Sequence, residues 1–229
     1  MREIILDTET TGLDAFDGDR IVEIGCVELV NSIATGRTWH CYLNPERDVP
    51  EQAFKVHGLS TDFLSDKPLF EERADAFLEF VEGSMLVIHN ASFDFGFLKA
   101  ELERASRPLL NWDRVIDTLA LARRRHPGAP ASLDALCRRY GIDLSERDLH
   151  GALLDCRLLA SVYLELVGGH QARLEFASNG AQAAILLARE SAVRTRPAPL
   201  APRVSEAEHE AHSAFVATLG EDALWLRYA

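Results

Sequence analysis

The apolar residues Ile4-Ile5-Leu6 run straight into Asp7, and a second carboxylate, Glu9, follows before the turn-like Thr10-Thr11-Gly12. A short apolar run with acids at its downstream end narrows the folds open to this chain. It reads as a buried strand whose C-terminal end carries Asp7. If the extended conformation continues, period-two geometry puts both carboxylates on one side. Two acids aimed at one place repel each other and lose hydration, penalties that a divalent cation relieves. The alternative is that Asp7 merely ends the strand and Glu9 is solvated.

Two further strands are expected over residues 21–29 and 37–43, joined by Asn31 to Gly36. In the second, Trp39, Cys41 and Leu43 alternate as on a half-buried antiparallel strand. A loop through Pro45, Pro50 and Val56-His57-Gly58 leads to a helix near 68–82, with Leu69, Ala76, Phe77, Phe80 and Val81 inward. The pattern then predicts a strand at 85–89, a helix at 93–106, a strand at 113–117, a helix at 132–140 capped by Ser132, and a helix at 152–167. A three-strand meander followed by alternating strands and helices implies an α/β fold, a mixed five-stranded sheet flanked by helices. The arrangement suggested is ribonuclease-H-like, with the first strand central.

Three more residues bear on the Asp7–Glu9 pair. Asp155 lies on an inward helical stripe with Ala152, Leu158, Leu159 and Val162. A buried acid there is costly unless it binds metal or pairs with an arginine, and both readings stay open. His150 and Asp155 would diverge by about 140° in one continuous helix. A shared task therefore places His150 in the loop ahead of the helix, with Gly151 permitting the break. Asp94 should fall in the first turn of a helix at the same end of the sheet as Asp7, where a helix dipole alone would also favour it. Four acids and a histidine fit two-metal phosphodiester hydrolysis, with His150 taking a proton from the attacking water. Oxygen ligands suit two divalent cations, Mg²⁺ or Mn²⁺.

Hydrophobic residues at 47% supply a core, and no run approaches the ~18 apolar residues of a membrane span. Asp7 comes too early for a signal peptide. Cys26, Cys41, Cys137 and Cys156 form no CxxC pair, so reduced thiols and a cytoplasmic location are expected. The net charge is −12, and residues 1–168 carry 18 basic against 29 acidic groups. Proteins that coat nucleic acid draw affinity from phosphate neutralisation, so this chain should bind DNA weakly by itself. A nuclease is still admitted, because clustered carboxylates that hold cations contribute to the deficit.

Asp7-Thr8-Glu9-Thr10-Thr11-Gly12, Asn90-Ala91-Ser92-Phe93-Asp94 and His150-Gly151-Ala152-Leu153-Leu154-Asp155 resemble, in order and spacing, the three motifs of the DEDDh 3′→5′ exonucleases. The resemblance spans roughly residues 1–169 and is strongest to the proofreading members that serve bacterial replicative polymerases. Ser132-Leu133-Asp134-Ala135-Leu136-Cys137 and Gly168-Gly169 add to it. It implies Asp7, Glu9, Asp94 and Asp155 as metal ligands and His150 as general base. It further implies that Thr8, Gly12, Leu13, His57, Asn90 and Phe93 line the pocket for the terminal nucleotide of a single-stranded or frayed 3′ DNA end. For His57 a loop position without a catalytic role is the alternative.

Beyond an exonuclease domain at 1–169, residues 170–177 contain Gln171, Leu174 and Phe176. An extended peptide puts Leu174 and Phe176 on one side. The pattern resembles the Gln-x-x-Leu-x-Phe peptides that bind the bacterial sliding clamp; a fraying helix end would also account for it. Residues 178–204 read as a linker with a short helix near 181–190 and Pro197, Pro199 and Pro202. Ser205 and Glu208 fit a capping box opening a helix that stops at Gly220, and Leu224 to Tyr228 is too apolar for a free tail. Residues 205–229 resemble the segment by which proofreading subunits dock on their polymerase. The 28 residues from Ala177 to Val204 would span about 30 Å root-mean-square if flexible. The resemblance also allows a small stabilising subunit. The rival readings are an RNA-trimming nuclease of the same family and a scaffold without catalysis.

Overall fold

The computed structural model describes residues 1–145, 147, 149–168, 204–219 and 225. The chain divides into two units, Met1–Arg173 and Leu174–Ala229. In the first, β1 (Arg2–Thr10), β2 (Ile21–Val30), β3 (Ile33–Tyr42), β4 (Met85–Ile88) and β5 (Val115–Asp117) form one sheet in the order β3-β2-β1-β4-β5. The first strand is central, antiparallel to β2 and parallel to β4. Around the sheet lie α1 (Glu51–His57), α2 (Thr61–Leu64), α3 (Phe70–Val81), α4 (Ala91–Arg104), α5 (Thr118–Arg125), α6 (Leu133–Tyr140) and α7 (Ala152–Val167).

The alternation of β1 sorts the two cores. Ile4 and Leu6 pack with Phe77 of α3 and Phe97 of α4, while Ile5 packs with α6 and α7. Period two therefore puts Glu3, Asp7 and Glu9 on the α7 side. Helix α7 runs back along this row: the Tyr163 hydroxyl donates to Glu3 Oε1 at 2.6 Å, and Asp155 lies by Glu9. Eight helical residues rise about 12 Å, close to the roughly 13 Å that the four strand steps from Glu3 to Asp7 span. Gly25 makes this approach feasible. It stands opposite Asp7 across β1 and β2, and a Cβ there would lie 2.4 Å from the Ala152 carbonyl carbon.

Several boundaries differ from expectation. The β2–β3 connection is only Asn31-Ser32, both at positive φ as in a tight hairpin turn, so β3 begins at Ile33 rather than 37. Strand β4 ends at Ile88 and α4 begins at Ala91, ahead of the expected 93. In α3 the buried residues are Phe70, Ala74, Phe77 and Val81; Ala76 is exposed and Leu69 precedes the helix. The stretch read as a loop holds α1 and α2, and His57 is the buried last residue of α1 before left-handed Gly58. The cap at Ser132 forms as expected, accepting from Ala135 N.

In the second unit, α8 (Glu206–Thr218) opens with the expected capping box: Ser205 Oγ accepts from Glu208 N, and Glu208 Oε2 accepts from Ser205 N at 2.8 Å. Phe215 and Trp225 are exposed, and Trp225 meets His212 edge-on at 5.4 Å. Gln171, Leu174, Phe176, the 181–190 helix and most of the linker lie outside the described residues. All four cysteines are buried free thiols. Among the described residues no helix is long and apolar enough to cross a membrane.

Candidate active site

The downstream ends of β1 and β4 and the N-termini of α4 and α7 meet at a cavity of about 550 Å³. It is lined by Asp7 through Leu13, Val56, His57, His89, Asn90, Phe93, Asp94, His150 and Asp155, among others. Every exonuclease-domain residue singled out from the sequence is therefore on one wall or another. One oxygen or nitrogen from each of Glu9, His150 and Asp155 lies within 4.8 Å of the others.

Each acid is placed by a different device. Asp7 and Glu9 share the α7 face of β1 because β1 stays extended through Thr10. Asp94, in the first turn of α4 and buried, accepts from Thr8 N at 3.0 Å and Thr8 Oγ1 at 2.8 Å. That pairing fastens the end of the central strand to the helix. The hydroxyl of Thr8, expected only to line the nucleotide pocket, is thus engaged with Asp94. Asp155 is buried on α7, and both of its oxygens accept from Arg147: Nε at 2.6 Å to Oδ1 and Nη2 at 2.6 Å to Oδ2. The arginine partner of the alternative reading is therefore present, and Asp155 also clusters with Glu9 and His150.

His150 sits in the loop ahead of α7 and is half exposed. Its Nδ1 lies 3.0 Å from Arg147 Nη2 and 3.4 Å from Asp155 Oδ2. Gly151 has an extended φ of −153° and nothing within 4 Å of a would-be Cβ, so the break before α7 does not require glycine. Gly12 is more constrained, since a Cβ there would sit 2.2 Å from Asp19 Oδ2. Asn90 holds a left-handed conformation, φ 62°, at the turn from β4 into α4, a backbone cost that asparagine tolerates. Leu13 is largely exposed at the rim, and Phe93 packs on Phe97 at 5.0 Å.

The electrostatics are those of too many acids in one place. Burial pushes the Asp7 carboxyl well up, and Asp94 and Glu9 push it further. Glu9 is raised to about 8, by burial first and then by Asp155 and Glu23. Asp94 is raised to about 7 by burial, against its bonds from Thr8. Asp155 is the exception: burial opposes its charge, but the hydrogen bonds from Arg147 and His150 outweigh it and the pKa falls. His57 is pushed down, chiefly by burial. Its Nδ1 accepts from Leu59 N at 3.0 Å, which places the ring proton on Nε2. That Nε2 is the one buried side-chain polar atom without a partner among the described residues.

Four residues escaped the sequence reading. Glu23 faces Glu9 across β1 and β2 and pairs with His40 at 2.6 Å. His89 follows β4 beside the acids, Arg147 bridges Asp155 and Asp134, and Val56 comes from the unexpected α1. Only Glu23 left a trace in sequence, as an acid within an apolar strand.

The fold and the cavity are those of an exonuclease domain. Residues 4–163 match the family model described as Exonuclease. Over 222 residues the chain is 48% identical to the DNA polymerase III subunit epsilon of Rickettsia felis, covering 96% of this chain and 97% of that protein. It is 50% identical over 186 residues to that of Escherichia coli, covering 78% and 76%. Among solved structures, Exonuclease X in complex with 5′ overhanging duplex DNA superposes with a TM-score of 0.56 at 30% identity, over 72% of this chain and 90% of that one. The nuclease domain of 3′hExo, a DEDDh family member bound to rAMP, gives 0.62 at 16% identity, over 72% and 91%, and shares the fold. The chain belongs to the exonuclease family, within its branch of bacterial DNA polymerase III epsilon subunits.

Proposed function

We propose that this exonuclease removes misincorporated 3′-terminal nucleotides from single-stranded or frayed DNA, with two divalent cations, Mg²⁺ or Mn²⁺, held by Asp7, Glu9, Asp94 and Asp155. The carrying observation is the convergence of Asp7, Glu9, Asp94 and Asp155 on one cavity, where burial and mutual repulsion raise the carboxyls of Asp7, Glu9 and Asp94. The donors fit such ions, being hard carboxylate oxygens converging on one cavity. When bound, the cations offset the carboxylates' charge and that of the phosphate, in the manner of two-metal phosphodiester hydrolysis. His150, half exposed between the acids and solvent, is placed to take the proton of the attacking water. Arg147 holds Asp155 in one orientation and reaches His150. The unpartnered His57 Nε2–H supplies a fixed donor for an oxygen of the terminal nucleotide, and Phe93 and Leu13 offer apolar surface to its base.

The chain would work beside the catalytic subunit of DNA polymerase III, held through residues 205–229, and would engage the sliding clamp through Gln171, Leu174 and Phe176. A small stabilising subunit completes this reading. Exposed Phe215 and Trp225 in the second unit support a docking role. The decisive experiment compares DNA and RNA oligonucleotides of one sequence, with a mismatched primer, in Mg²⁺, Mn²⁺ or chelator, with and without the clamp and polymerase subunit. Release of 3′ nucleotides from DNA, faster at the mismatch and lost in chelator, is expected. Preference for RNA would support the trimming alternative, and no turnover under any condition would leave only a scaffold.

A further inference from the structure

A second groove, of about 660 Å³, adjoins the carboxylates. It shares Asp7, His89, Asn90, His150 and Asp155 with the first cavity and is lined further by Leu119, Leu133 and Arg123 of α5, among others. The first cavity, walled by the Thr8–Leu13 turn and His57, takes the nucleotide to be released on the reading above. A scissile phosphate lying on the shared acids must have that nucleotide on one side and the remaining strand on the other. The second groove is where the remaining strand has room to continue.

The charges along the groove agree. Arg123 is exposed, and among the described residues no carboxylate lies within 4.0 Å of its guanidinium. Beyond the shared Asp7 and Asp155, the groove's acid Asp134 pairs with Arg147 and Arg138, and neighbouring Asp117 caps α5 through Leu119 N at 2.9 Å. Arg125, two residues on, donates to the Leu166 carbonyl at 2.7 Å and anchors the helix on α7. Among the described residues Arg123 is thus a cation without an ion-pair partner, on a fixed helix, lining a groove that shares the acid cluster of a protein with net charge −12.

We propose that this groove carries the DNA strand upstream of the scissile bond and that Arg123 binds one of its phosphates. Arg123 is a substrate-binding residue here, acting on strands longer than the released nucleotide, and the inference rests on the nuclease reading. The full-length wild type, Arg123→Ala and Arg123→Glu are compared on two substrates: a single-stranded DNA oligonucleotide, and the p-nitrophenyl ester of thymidine 5′-monophosphate, which has no upstream phosphate. For the oligonucleotide, KM should rise about tenfold or more in Arg123→Ala, as for one lost charged hydrogen bond, and further in Arg123→Glu, with kcat kept. The salt dependence of binding to a labelled oligonucleotide, read by anisotropy with Ca²⁺ in place of Mg²⁺, should lose about 0.7 in slope. Ester hydrolysis should be unchanged. An unaltered oligonucleotide KM and salt slope, or an equal loss on both substrates, would overturn the groove assignment. Wild-type protein inert on both substrates yet sensitive to Arg123 in the binding arm would instead overturn the nuclease reading and leave the groove standing.

Discussion

At the scale of single residues, burial and mutual repulsion hold the carboxyls of the acid cluster above their ordinary range. Asp7, Glu9 and Asp94 bind protons more tightly folded than unfolded, since their carboxyls are raised. Between the ordinary carboxylate pKa of 4.5 and about 8 the folded chain keeps a proton on Glu9 that the unfolded chain has lost, so stability falls as pH rises through that window. In chelator, the melting temperature should decline from pH 5 to pH 8, and saturating Mg²⁺ should flatten the decline; calorimetry across that range tests it. Asp7→Asn keeps the shape and cannot ionise, so it removes the repulsion and desolvation that build up as Asp7 loses its proton at high pH. It should abolish metal-dependent cleavage while raising the melting temperature in chelator by about 2–4 °C per kcal/mol relieved. Near wild-type turnover in that variant would remove Asp7 from the reaction. The residues behind this behaviour were largely visible in the sequence: Asp7, Glu9, Asp94, Asp155 and His150 stand in recognisable local patterns. Arg147 and His89 were not visible, because their roles depend on which loops meet.

At the scale of elements, the position of α7 on the sheet decides whether Asp155 reaches the other acids. Gly25 sets that distance, with the Ala152 backbone resting where a Cβ would be. Gly25→Ala should push the N-terminal turn of α7 away, costing about 3 kcal/mol as overpacking does and lowering the melting temperature by about 6–12 °C. Turnover should fall more than a displaced core helix alone requires, because Asp155 lies one turn from the clash; calorimetry and an oligonucleotide assay on the same sample separate the two. The long elements were legible because their apolar periodicity is strong, as in β1, β2 and α7. Helices α1 and α5 were not. In α1 only His57 is buried, and in α5 only Thr118 and Ala122, so neither carries an apolar stripe for a periodicity argument to find. Both nevertheless wall the site, α1 through Val56 and His57, and α5 through Leu119 and Arg123.

At the scale of the whole molecule, the proposed reading puts catalysis and attachment on separate stretches of chain. A protein of net charge −12 gains little DNA affinity from its surface, and a tether would raise its effective concentration at the primer end instead. Deletion of 205–229 should therefore leave hydrolysis of short single strands unchanged and abolish co-purification with the polymerase subunit. Persistent co-purification would move the docking role elsewhere. Replacing Leu174 and Phe176 together with alanine should, by the same reasoning, weaken clamp binding measured by surface plasmon resonance without altering turnover on free oligonucleotides.

The amino-acid sequence alone determined the sheet, its central first strand and the five residues of the acid–imidazole cluster. Those features rest on local patterns: apolar periods, caps, and acids placed where apolar residues would be expected. Tertiary structure alone decided that Thr8 anchors Asp94, that Arg147 claims both oxygens of Asp155, and that Gly25 admits α7 to the sheet. Each of these is a contact between segments far apart in the chain, selected by packing and charge once the layers close, and no local pattern encodes the partner.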